Sequence, residues 1–177
     1  MARSRALLYK ILSECFYPPE AESLKSDFSR LFIGPFKLLA PPYGSIYLDG
    51  NSCLMGASTM EVRQLYRNEG LNPVIKEAPD HIAIELEFMY FLCFKEERAG
   101  EIADYDAVGG YLEKEAFFMA NYLVDWLEEF VRKVKTHAKT EYYPNLAIFT
   151  EKLVQKDLRS ICKRLQKTVL KKEGGHV

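Results

Sequence analysis

Cysteines spaced for a metal or a redox couple are missing from this sequence. The four present, Cys15, Cys53, Cys93 and Cys162, are scattered over 177 residues with no C-x-x-C pair. That argues against a zinc site or thioredoxin chemistry and fits a reducing compartment. Histidine is equally scarce, at positions 81, 137 and 176. His81 and Glu85 form an H-x-x-x-E pair on one helix face, but a metal-dependent enzyme would have to complete its ligand set with carboxylates alone. No stretch reaches the roughly 18 uncharged apolar residues of a membrane span. The apolar run that follows the basic start ends at Lys10, too early for a signal peptide. A G-x-x-x-x-G-K-[ST] loop is absent, and Gly109-Gly110 lacks the lysine that would follow. Strand-like alternation, internal repeats and low-complexity segments are absent too. The expectation is a soluble, cytoplasmic, all-helical protein with no cofactor and no stable membrane insertion.

Net charge is nearly absent as well, at −1, but the charges are segregated. Residues 1–76 carry 9 basic and 7 acidic side chains, residues 77–129 carry 3 and 14, and residues 130–177 carry 12 and 4. Charge pairing between the middle and the C-terminal third explains part of this. An acidic middle also attracts a basic partner and repels nucleic acid and anionic membranes. The basic last helix reads as a solvated face, since the pI is about 6.3 and no DNA-binding motif accompanies it.

A chain of this length forms one domain, residues 1–177, and buries about 70% of its unfolded surface. Apolar spacing predicts a first helix from Ser4 to Phe16 with Leu7, Leu8, Ile11, Leu12, Cys15 and Phe16 toward the core. A second runs from Pro19 to Phe32 and stops at Gly34-Pro35. Ser58 and Glu61 read as a capping box for a helix that closes at Gly70. One long helix is expected from Ala107 to His137, a shorter one from Pro144 to Gln155, and a last from Asp157 to Lys171, with residues 173–177 frayed. The fold class is therefore all-α, a single-domain bundle of about seven or more helices with a long Pro/aromatic loop.

That loop runs from Ile33 to Ala57, longer than most loops inside compact domains. At its centre is Ala40-Pro-Pro-Tyr-Gly-Ser-Ile-Tyr-Leu-Asp49, where two prolines stiffen the backbone beside Tyr43 and Tyr47. Stiff aromatic loops lose little entropy on binding a partner, although the same tyrosines also suit a packed linker.

The oddest burial problem is at Glu77 to Met89. Pro79 disfavours helix at Ala78, Asp80 is a good N-cap, and from His81 the chain reads as helix to Arg98. Between Ile82 and Phe94 this helix is apolar on almost every side, so it belongs in the middle of a bundle. Glu85 and Glu87 are the exceptions, and a buried carboxylate needs a cation or several donors. Two readings stand together here. In one, Asp80 caps and the glutamates pair with neighbouring helices. In the other, Glu77, Asp80, His81 and Glu85 form an acid patch beside aromatic surface, suited to a ligand both cationic and apolar.

Three stretches in this order resemble the TorD/DmsD-like family of redox-enzyme maturation chaperones that serve molybdoenzymes of the dimethyl sulfoxide reductase type. They are Arg30-Leu-Phe-Ile-Gly-Pro35 leading to residues 40–49, Met60-Glu-Val-Arg-Gln-Leu-Tyr66, and Glu77-Ala-Pro-Asp-His-Ile-Ala-Ile-Glu-Leu86. Weaker echoes occur at 123–126 and at Tyr142-Tyr-Pro144. The resemblance implies an all-helical chaperone that holds an apo-molybdoenzyme catalytic subunit by its twin-arginine signal peptide until the cofactor is inserted and export is permitted. It carries a peptide-binding loop onto Pro41, Pro42, Tyr43, Ser45 and Tyr47, and an acidic-histidine motif onto Glu77, Pro79, Asp80 and His81. A twin-arginine leader offers two guanidinium groups and then an apolar segment, so a receptor needs carboxylates and a lipophilic groove. Asp80, Glu77 and Glu85 are the candidates for the first, with Tyr43, Tyr47 and Phe88 for the second. Where the family often has a His-Leu-x-Pro-Trp turn, this chain reads Tyr122-Leu-Val-Asp-Trp126. The alternative within the family is a NarJ-like assembly chaperone for a subunit without a leader. The motifs leave open monomer or homodimer.

Overall fold

The computed structural model describes residues 2–34, 38–50, 55–71 and 77–173, and the regular elements among them are helices. In chain order they are α1 (Ala2–Cys15), α2 (Glu22–Phe28), α3 (Ser45–Leu48), α4 (Ala57–Asn68), α5 (Ile82–Glu101), α6 (Tyr105–Phe118), α7 (Val124–His137) and α8 (Tyr142–Glu173). A π-helical turn, Ser29–Ile33, prolongs α2, and another, Met119–Leu123, joins α6 to α7. The expected stop at Pro35, Cys53 and the frayed residues 174–177 lie outside the described residues, while Glu173 is still helical.

Helix α5 is the axis of the bundle, as its all-round apolarity predicts. Ile82, Leu86, Met89, Leu92 and Cys93 are wholly buried, and the helix packs against α1 on one side and α6 on another. Helix α7 presents Trp126, Leu127, Phe130 and Val134 inward, against α8. Phe16, Phe32, Phe130 and Tyr143 join these layers through tilted, stacked and edge contacts.

Polar side chains set how several helices are rotated, and there the periodicity misleads. The face of α1 that enters the core is Ala6, Tyr9, Leu12 and Ser13, whereas Leu7, Leu8 and Ile11 are exposed. The cause is a buried ionic hub. Arg5 Nε donates to Asp157 at 2.7 Å, Nη1 donates to Glu96 at 2.6 Å, and Nη2 donates to Glu115. Tyr9 Oη also donates to Asp157, at 2.8 Å. Turning the leucine stripe inward would break these bonds and leave Glu115 and Asp157 in the interior without Arg5.

The same hub explains why α8 is one helix and not two. Asp157, read as a helix start, is an inward partner of α1 in mid-helix. The long helix expected over 107–137 is instead α6 and α7, separated by the π-helical turn. Asn121 Nδ2 donates to Phe117 O at 2.7 Å and Trp126 Nε1 to Tyr122 O at 2.7 Å, so side chains satisfy carbonyls around the widened turn. The spacing of apolar residues carries on through it, which is why the division is invisible in the sequence. Helix α2 begins at Glu22, three residues past Pro19. At α4 the capping box does not form: Ser58 N donates to the Asp49 carboxylate at 3.3 Å, and Glu61 accepts from Tyr122 Oη at 3.0 Å.

Candidate functional site

The Pro/aromatic loop and the start of α5 are laid side by side. Pro42 O accepts from Ile82 N at 2.8 Å, Gly44 N donates to Asp80 O at 2.9 Å, and Tyr43 and His81 form an antiparallel bridge. Helix α3 follows at once. Ser45 N donates to Asp80 Oδ2 at 2.8 Å, so Asp80 caps α3 from across the chain. The N-cap of α5 is His81, whose Nδ1 accepts from Ala83 N at 3.1 Å. This corrects the assignment of Asp80 as the cap of α5 and His81 as its first residue. An imidazole lone pair serves the helix start, and the carboxylate is freed to hold the loop. Tyr66 Oη donates to Pro79 O at 2.9 Å and supports the turn from behind.

Gly44 is needed here for its missing side chain. A Cβ would stand 3.1 Å from Trp126 Nε1 and 3.3 Å from Glu85 Oε1. Both neighbours are wholly buried, so neither has room to yield, and the close approach of α3 to α5 and α7 depends on glycine.

Above this base is an aromatic wall. Tyr43 Oη donates to Glu77 Oε2 at 2.9 Å, and its ring meets His81 edge-on at 5.1 Å. Tyr17 stacks on the same imidazole at 6.2 Å, within the electrostatic reach of Glu87. Glu87 in turn takes Lys10 Nζ at 2.6 Å. Tyr47 is held differently. Its hydroxyl donates to Pro41 O at 2.8 Å, its ring stacks on Trp126 at 5.4 Å, and Lys133 Nζ is 4.4 Å from the ring centre.

Exposure separates the expected site residues into two sets. Glu77 is exposed and Tyr43, Tyr47 and Pro79 are half-buried, while Pro41, Pro42, Ser45, Asp80, His81, Glu85 and Phe88 are buried. Asp80, at 1% exposure, and Glu85, at 0%, are out of a ligand's reach in this conformation. Phe88 lines a groove of about 490 Å³ between α4 and α6 together with Leu65, Phe117 and Phe118. The carboxylates that do meet solvent beside the aromatic wall are Glu77 and Glu87, the latter 35% exposed. Glu87 stood out in the sequence only as a charge in an apolar helix. Tyr17 was hidden in a Tyr-Pro-Pro helix stop, and nothing in the pattern pointed to Lys133.

Burial pushes His81 down to about 4, against the opposing pull of Glu77 and Asp80, so the ring is neutral near pH 7 with its proton on Nε2. Burial drives Glu85 well above the usual carboxylate range, and the charge of Asp80 adds to it. Both Glu85 oxygens, Asp80 Oδ1 and Ser45 Oγ have no hydrogen-bond partner. Burial and Glu77 raise Tyr43, and burial with Glu87 and Glu77 raises Tyr17 to about 12. With Nδ1 engaged in the cap and Glu85 sealed off, His81 and Glu85 do not present the metal pair their spacing suggested. Among the described residues no three His, Cys, Asp or Glu side chains gather as metal ligands. Acceptors beside aromatic faces are suited to a donor-rich cation flanked by apolar groups.

A family model described as nitrate reductase delta subunit matches residues 4–132. The Tat proofreading chaperone DmsD of Salmonella paratyphi A is 44% identical over 66 residues, 37% of this chain and 29% of that protein. The chaperone protein TorD of Vibrio parahaemolyticus is 29% identical over 126 residues, 70% of this chain and 57% of that one. These matches span less than two thirds of the relatives' own length. In shape, the chain is similar to the crystal structure of a proposed redox enzyme maturation protein from Archaeoglobus fulgidus. The TM-score is 0.58 at 23% identity, covering 85% of this chain and 93% of that one, a likeness of fold.

Proposed function

This chain belongs to the nitrate reductase delta subunit family, and from that premise we propose that it is a cytoplasmic chaperone of molybdoenzyme maturation. In this reading it holds an apo-molybdoenzyme subunit by a twin-arginine signal peptide until the cofactor is in place. The observation that supports it most is the Tyr43 to Glu77 hydrogen bond, made across 34 residues of sequence beside His81. An acidic group and an aromatic wall, far apart in the chain, share one surface. The carboxylates within reach of a guanidinium are Glu77 and Glu87, with Lys10 a competing cation that an arginine would displace from Glu87. Tyr43 and Tyr17 are suited to shelter the apolar residues that follow. Asp80 and Glu85 act beneath the surface, Asp80 by fastening the loop.

A calorimetric titration with a synthetic leader peptide tests this. The peptide with its Arg pair binds, the same peptide with Gln at both positions binds about tenfold more weakly or worse, and affinity falls with salt. Glu77→Gln weakens the Arg peptide and leaves the Gln peptide unchanged. Equal binding of the two peptides removes the charge-recognition mechanism. The description of the matching family as a nitrate reductase subunit favours one second reading, an assembly chaperone that recognises a mature subunit. Failure of both peptides to bind, with capture of the leaderless subunit, would support it.

A further inference from the structure

We propose that the outer face of α8 is a docking surface for an acidic helix of a partner protein. Lys152, Lys156, Arg159, Lys163 and Lys167 recur at intervals of three and four residues, and all five are exposed. They form one stripe about 22 Å long, opposite the side on which Val154, Asp157 and Ile161 enter the core. Asp157 is the one acid between positions 152 and 167, and it is buried on Arg5. Among the described residues none of the five cations has a hydrogen bond or an ion pair.

A solvated face ordinarily intersperses both signs of charge. Here Lys152 and Lys156, Arg159 and Lys163, and Lys163 and Lys167 are like charges one turn apart, a pairing that destabilises a helix. The helix macrodipole does not offset this, because it favours cations in the last turn only and α8 runs on to Glu173. An anionic partner laid along the stripe would.

Spacing and side-chain type select the chemistry of that partner. Successive cations rise about 4.5 or 6 Å along the axis, and a second helix repeats carboxylates at those intervals when they too stand three and four residues apart. Helix α8 already uses a neighbouring cation in this way, since Arg164 holds Glu96 of α5. Phosphates on one strand of duplex DNA come at a different interval, roughly every 3.4 Å. No aromatic side chain occurs between 152 and 167 to stack on the bases of a single strand. A bilayer would meet no apolar anchor, because Leu153, Leu158, Ile161 and Leu165 are buried or half-buried. None of Tyr17, Tyr43, Glu77 and Glu87 is on α8, so this surface and the leader surface stand or fall separately.

Calorimetry of the full chain at low salt tests the proposal, with a helical peptide that carries glutamates in the same three-and-four spacing. The peptide is expected to bind at on the order of 10 µM, and more weakly as salt rises. A peptide of the same composition with its glutamates spread around the helix should bind about tenfold more weakly. Lys163→Glu turns two repulsive pairs into attractive ones, so it should raise the melting temperature slightly while weakening the matched peptide about thirtyfold. Lys156→Gln, which creates no new ion pair, should weaken it about threefold. Tighter binding of poly(U) RNA, or of vesicles rich in phosphatidylglycerol, than of the matched peptide overturns the proposal. So do equal binding of the two peptides, binding of neither, and an unchanged affinity in Lys163→Glu.

Discussion

At position 85 a carboxyl group is enclosed between Trp126 and the backbone of Gly44 with neither oxygen hydrogen-bonded. Its folded pKa is raised by burial and by Asp80, so it stays protonated in the native state at pH values where the unfolded chain has released that proton. Stability from this group is present below the unfolded carboxylate range, near pH 4.5, and is lost as pH rises toward the folded value. Glu85→Gln keeps the shape without the ionisation. The variant should therefore melt roughly 2–5 °C higher at pH 8 and show a smaller gain in stability on acidification to pH 5. A scanning melt at the two pH values checks both. The sequence marked Glu85 as a misfit in an apolar helix. It could not show that burial and Asp80 raise the pKa of this carboxyl group, because that depends on which chain segment lies over it.

Between elements, the informative link is Asp80. It caps α3 while His81 caps α5, so removing it should loosen the loop and spare the long helix. Asp80→Ala is expected to cost about 1–2 kcal/mol. Faster amide exchange should appear at residues 44–48, with exchange along α5 near its original rate. Mass-resolved hydrogen exchange measures this, and equal loss of protection in α5 would mean that Asp80 caps both. The placement of helices from apolar spacing succeeded for α5 because burial on every side needs no choice of face. It failed for the face of α1, for the division of α6 from α7 and for the unity of α8. Rotation and continuity there are decided by Arg5, Asp157 and a π-helical turn, none of which alters the spacing of apolar residues.

For the whole molecule, the Arg5 hub is the joint that makes α1, α5, α6 and α8 one body. Arg164 adds a second cation on Glu96. Burial lifts Glu115 to about 7 even though Arg5 beside it pulls the other way. Arg5→Met should cost about 3–5 kcal/mol by leaving Glu115 and Asp157 around an apolar side chain, while Glu96 keeps Arg164. The loss should shrink as pH falls from 8 to 6, because an uncompensated carboxylate can take up a proton. Urea unfolding at both pH values measures it, and a pH-independent loss would assign the effect to packing instead.

The sequence by itself determined the all-helical class, the central helix and the motifs that resemble the chaperone family, while the expected loop of residues 33–57 holds the helical turn α3. What it determined is local: a period, a proline, a short ordered string of residues. The tertiary structure alone decided that Asp80 and Glu85 are sealed while Glu77 and Glu87 meet solvent, that Tyr17 stacks on His81, and that the leucines of α1 face outward. Those outcomes depend on which distant carboxylate each cation and hydroxyl finds, and such pairings, 91 to 152 residues apart for Arg5, leave no trace in local periodicity.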